Sequence, residues 1–141
     1  MSKSRLLVAV SSPWASEKFL APIADIANRL EADVIVAHVA QAKNEDENES
    51  DAHDRGDHTL QVLADGLRQL GVQTDVVMLF SNNVSKALLN TAKANCCTMI
   101  VLGLTGGGMF KRLIARDVPA QLIRQSEIPV LLCPDNWNGM I

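Results

Sequence analysis

The sequence predicts an α/β domain with a parallel sheet and helices on both of its faces. Three observations carry that prediction. Short, largely apolar runs recur five times, at Leu6–Val10, Val34–Val39, Val72–Phe80, Thr98–Leu102 and Ile128–Cys133. Such runs suit strands buried on both sides. A segment with helical apolar spacing separates each run from the next, and the links are short. Strands and helices in alternation imply parallel neighbours joined by right-handed crossovers.

With 141 residues and no internal repeat, one domain spanning 1–141 is expected. A hydrophobic content of 48% supports a sizeable core. The net charge of -3 gives no bulk attraction to nucleic acid, and a chain without Tyr has few rings on which to stack bases. No stretch approaches the roughly 18 apolar residues of a membrane span, so no membrane insertion is expected. The run after Arg5 is too short for the core of a signal peptide. Three cysteines, two of them adjacent, make no disulfide framework, and a cytoplasmic location is expected.

Strand 1, Leu6–Val10, ends at Ser11-Ser12-Pro13, where Ser12 and Pro13 form an N-cap and first-turn pair. Helix 1 is expected over Trp14–Glu31, with Phe19, Leu20, Ile23, Ile26, Ala27 and Leu30 at helical spacing. Pro22 inside it predicts a kink or a later start near Ser16. Strand 2 is Val34–Val39. The acidic stretch Gln41–Asp54 reads as a solvated loop. Helix 2 follows over Ala52–Leu70, closed by Gly71. Strand 3, Val72–Phe80, leads through Ser81-Asn82-Asn83, good turn and N-cap chemistry, into helix 3 at Val84–Asn95. Strand 4, Thr98–Leu102, is expected to end at Gly103. A helical turn at Met109–Ile114 and helix 4, from Asp117 to Ser126, precede strand 5, which Pro134 stops.

The most informative stretch is Thr98–Val118. Gly103, Gly106, Gly107 and Gly108 fall within six residues after a buried strand and before a helix. Glycine lets the backbone approach a phosphate, and the N–H groups of a helix start point at it. The other reading of the cluster is a turn that serves geometry alone.

With these residues in view, the chain resembles the universal stress protein family over nearly its whole length. The resemblance rests on the opening strand and loop, on His38-Val39 closing strand 2, on Ser81–Leu88, on Gly103–Val118, and on Pro129-Val130-Leu131-Leu132. It implies an adenine-nucleotide α-hydrolase-like fold with strand order 3-2-1-4-5, and dimers joined through the edge strand 5. Pro129 suits an edge. The family's nucleotide motif is Gly, two residues, Gly, nine residues, Gly, then Ser or Thr. That spacing lands here on Gly103, Gly106, Arg116 and Asp117, so the first half matches and the second departs. Nucleotide-binding members also carry an Asp after strand 1, where this chain has Ser11. The positions the resemblance marks for nucleotide are Ser11, Val39, Gly103, Gly106, Gly107, Gly108, Arg116, Asp117 and Val118.

Asp117 is the sharpest departure. An ionised carboxylate donates no hydrogen bond to phosphate. Two like charges about 4 Å apart cost roughly 1–4 kcal/mol at effective dielectrics of 80 to 20. As an N-cap, the same Asp contributes about 1 kcal/mol to helix 4. Arg116 replaces a glycine but offers a guanidinium that binds phosphate from another direction. Lys111 and Arg112 read as a solvated basic face. Asp51, His53, Asp54, Asp57 and His58 are metal-ligand types, but His53 and His58 diverge by about 140° on a helix, so no metal is expected. Cys96 and Cys97 begin strand 4 while Cys133 ends strand 5, so no bridge is expected. No catalytic constellation stands out, and His38 reads as structural.

The expectation is a stress-response binding protein, a homodimer through strand 5 with a further protein partner of unknown identity and weak or absent ATP binding. No cofactor is required. The alternative is an ATP-binding member in which the glycines and Arg116 compensate; ATP or AMP would then be the ligand. A nucleotide hydrolase or transferase lacks an evident base or Walker lysine.

Overall fold

The computed structural model describes residues 3–10, 13–40, 49–104 and 118–134. The elements are β1 (Arg5–Ala9), α1 (Pro13–Leu30), β2 (Asp33–Ala40), α2 (Glu49–Gln69), β3 (Thr74–Phe80), α3 (Val84–Ala94), β4 (Met99–Leu104), α4 (Val118–Gln125) and β5 (Val130–Pro134). All strand pairs are parallel, and the order is β3-β2-β1-β4-β5. This is the expected sheet.

Alternation along each strand decides which layer each side chain joins. Leu6, Val8, Val34, Val36 and Val101 pack under α1 and α2 with Phe19, Ile23, Leu60, Leu63 and Leu67. Leu7, Ile35, Ala37, Ile100 and Leu102 pack under α3 and α4 with Leu88, Ala92, Val118 and Leu122. Two helices therefore cover each face. Leu6, Leu7 and Val8 of the central strand are fully buried, which is why β1 carries no polar alternation.

Several boundaries correct the sequence reading. α1 starts at Pro13 and continues through Pro22, without the later start near Ser16. α2 begins at Glu49, inside the stretch read as a loop; acidic residue types are favoured where a helix dipole starts. β4 does not end at Gly103 but runs to Leu104, because β5 continues alongside and pairs Cys133 with Gly103. β3 starts at Thr74, since Val72 still serves the end of α2 by donating to Leu67 O at 3.0 Å. β1 runs Arg5–Ala9, β2 extends to Asp33 and Ala40, and β5 begins at Val130. The turn expected at Met109–Ile114 lies outside the described residues.

Three helices end alike. Glu31 (φ 52°), Gly71 (φ 83°) and Cys96 (φ 54°) adopt the left-handed region just past α1, α2 and α3. Their N–H groups donate to Asn28, Arg68 and Lys93, and those of Ala32, Val72 and Cys97 donate to Ala27, Leu67 and Ala92. This double closure satisfies the last helical carbonyls and turns the chain into the next strand. Asn83 caps the start of α3, its Oδ1 accepting from Lys86 N at 3.1 Å. Among the described residues, no helix is long and apolar enough to cross a membrane.

Candidate functional site

In this topology β1 and β4 are neighbours, yet α1 lies on one face and α4 on the other. Chains that leave adjacent strands for opposite faces open a crevice above the carboxyl ends of those strands, the usual ligand position in such folds.

Several described residues frame that crevice. Val10 N donates to Ala37 O at 3.0 Å, so the chain stays on β2 beyond the end of β1. Its carbonyl oxygen lies 2.9 Å from His38 Nδ1. A carbonyl only accepts, so His38 carries its proton on Nδ1 and donates it. His38 is buried, on the α1/α2 face of β2. Gly56 of α2 lies directly over it: a Cβ there would stand 2.6 Å from His38 Cδ2 and 2.7 Å from Met78 Cε. The missing side chain at 56 thus lets α2 pack on the imidazole that fixes the exit of β1. Gly56 was not singled out from the sequence, because a lone helical glycine gives no signal until its neighbour across the packing is known.

Of the positions marked for nucleotide, Val39 and Val118 are both buried in the α3/α4 layer, at the end of β2 and the start of α4. Ser85 Oγ–H donates to Gln121 Oε1 at 2.7 Å, tying α4 to the first turn of α3. Gly103 lies in β4 beside Cys133. Ser11, Gly106, Gly107, Gly108, Arg116 and Asp117 lie outside the described residues. Asp117 immediately precedes α4 in the chain.

The thiols are all free. Burial pushes Cys133 up from 9.0 to about 11. Burial also raises Cys97, with the Arg5 guanidinium opposing it. Gly103 pairs with Cys133, and the Cys96-Cys97 pair precedes β4, so the thiols stand at opposite ends of the sheet as expected. Among the described residues, no three His, Cys, Asp or Glu side chains come together to hold a metal.

The order β3-β2-β1-β4-β5 with two helices on each face is an open, doubly wound α/β fold. Residues 3–134 match the universal stress protein family, and the chain belongs to it. Among solved structures, it is similar to a universal stress protein from Archaeoglobus fulgidus in complex with dAMP (17% identity, TM-score 0.70, 94% of this chain and 98% of that one). It is also similar to an Arabidopsis thaliana family member with AMP bound (18%, TM-score 0.63, 94% and 92%). A third is a universal stress protein in complex with cAMP (21%, TM-score 0.66, 93% and 97%). No curated protein matches the sequence.

Proposed function

We propose that this chain is a regulatory binding protein of the universal stress class. It acts as a homodimer through β5, and its β1/β4 crevice holds adenine nucleotide weakly, monophosphate in preference to triphosphate. It acts by binding, and no cofactor is required for that role. Its site of action is the cytoplasm, and a further protein partner reads its state.

One observation carries the nucleotide reading. The pinned Val10, Val39 and Gly103 lie at the carboxyl ends of β1, β2 and β4, where such folds take a ligand, and the sequence enters α4 through Arg116-Asp117 instead of glycine and a hydroxyl. With the phosphates placed toward the start of α4 in this reading, repulsion from an acidic residue at 117 would rise with phosphate number. The related structures in complex with AMP, dAMP and cAMP support a monophosphate as the ligand. The dimer reading rests on the edge position of β5, whose Val130, Leu131 and Leu132 are only half-buried in the single chain. A partner strand would cover that edge.

Calorimetric titration of the purified chain with AMP and with ATP tests the nucleotide reading. Weak binding of AMP and weaker binding of ATP is the expected result. ATP binding more tightly than AMP would overturn it. Light scattering at micromolar concentration tests the dimer: a monomer would remove β5 as an interface.

A further inference from the structure

At the end of the sheet away from the crevice, a cavity of about 360 Å³ opens between α3, α4 and the start of β4. Leu89, Ala92, Ile100 and Ile128 form its apolar wall, and both Cys96 and Cys97 border it. Cys96 is exposed and Cys97 is buried, 7% accessible. The Cys97 thiol is free and borders a space that solvent can enter.

The backbone holds this pair tightly. Cys96 N donates to Lys93 O, Cys97 N to Ala92 O at 2.9 Å, and Thr98 N to Arg5 O at 2.8 Å. Cys96 sits in the left-handed region, which costs a residue with a side chain about 1 kcal/mol or more and which glycine usually occupies. A Cys96–Cys97 disulfide is disfavoured there. Adjacent Cα atoms across a trans peptide are about 3.8 Å apart, below the usual disulfide range of about 4.4–6.8 Å. Both thiols are free in the structure.

We propose that Cys96 and Cys97 form a two-thiolate site for a soft monovalent cation of the cuprous class. Thiolates select such ions, whereas structural zinc demands four ligands, and no group of three ligand side chains forms among the described residues. The binding step is an exchange without redox change: one Cu⁺ forms two Cu–S bonds, and the two thiols release two protons. The resulting complex carries one negative charge. Arg5 stands beside it, its Nη1 donating to Asn95 O at 2.8 Å, and Lys93 lies at the cavity rim. Glu127 is the one carboxylate among the lining residues and acts against the complex.

The test is anaerobic titration of the protein against the cuprous complex of bathocuproine disulfonate, following loss of that complex's colour. The wild-type chain and Cys133→Ser should each withdraw one equivalent. Cys96→Ser, Cys97→Ser and Cys97→Ala should each lose the ability to compete. Circular dichroism establishes that each variant is folded. Should both Cys97 variants unfold, exposed Cys96→Ser decides alone. Failure of the wild type to compete, undiminished binding by folded Cys96→Ser, or loss of binding in folded Cys133→Ser would overturn the site.

Discussion

At the amino end of the sheet, α1, α2 and α3 each close with the same pair of hydrogen bonds and one left-handed residue. At the carboxyl end the connections differ in length and composition, from Ser11-Ser12 through the acidic stretch 41–48 to the glycine-rich 105–117. The contrast separates two demands on one chain. The amino end must turn helices into strands while burying the residue after each turn, and one solution serves three times. The carboxyl end is where the proposed ligand would sit, and the sequence of its connections varies accordingly. What the described part contributes there is a fixed base, the His38–Val10 hydrogen bond under Gly56.

The largest stability effect that sharpens this contrast separates the thiols by pH. Cys133 holds its proton to about 11 in the folded chain against 9.0 unfolded. Between those values the folded state binds more protons, so stability present below pH 9 falls as pH rises toward 11. The loss is roughly 2–3 kcal/mol at about 1.36 kcal/mol per unit. Urea unfolding at pH 8 and 10.5 should show it in the wild type, and Cys133→Ala should reduce it.

The two glycines of α2 give the next effect. Gly56→Ala forces a Cβ against an imidazole that is held by its hydrogen bond, and should destabilise by about 1–2 kcal/mol once the helix-propensity gain is subtracted. At Gly66 the obstruction is the tip of Leu20, 2.7 Å away, a flexible and only partly buried side chain. Gly66→Ala should be near neutral. Thermal melts of the pair compare a fixed neighbour with a yielding one.

Smaller again are the left-handed turns. Gly71 has open space around it, so Gly71→Ala meets no clash and should lose only about 1 kcal/mol, from conformation alone. Cys96→Gly should gain up to about 1 kcal/mol by the same reasoning reversed. Denaturant midpoints for both check whether the three turns are energetically alike.

The five strands and the layers were legible because burial on both faces leaves uninterrupted apolar runs, whereas the strand order came from the family resemblance. Gly71 was read as a helix end from its type, but Glu31 and Cys96 do the same work without glycine and gave no signal. The start of α2 was missed because charge density at Glu49–Asp54 resembles a solvated loop as much as a helix start. Gly103 looked like a terminator, and only its pairing with Cys133 reveals it as strand. His38 was read as structural, but its partner is the Val10 carbonyl, 28 residues away and beyond the reach of spacing rules.

In the proposed reading, Arg116-Asp117 and Ser11 weaken nucleotide binding at the β1/β4 crevice. The direct measurement is calorimetry with ATP on the wild type and on the combined variant Ser11→Asp, Arg116→Gly and Asp117→Ser. Removing one carboxylate beside the phosphates and restoring hydrogen bonds should each contribute on the order of 1–3 kcal/mol, tightening ATP binding by roughly 30-fold or more. Tight ATP binding by the wild type, or no gain in a folded triple variant, would contradict it.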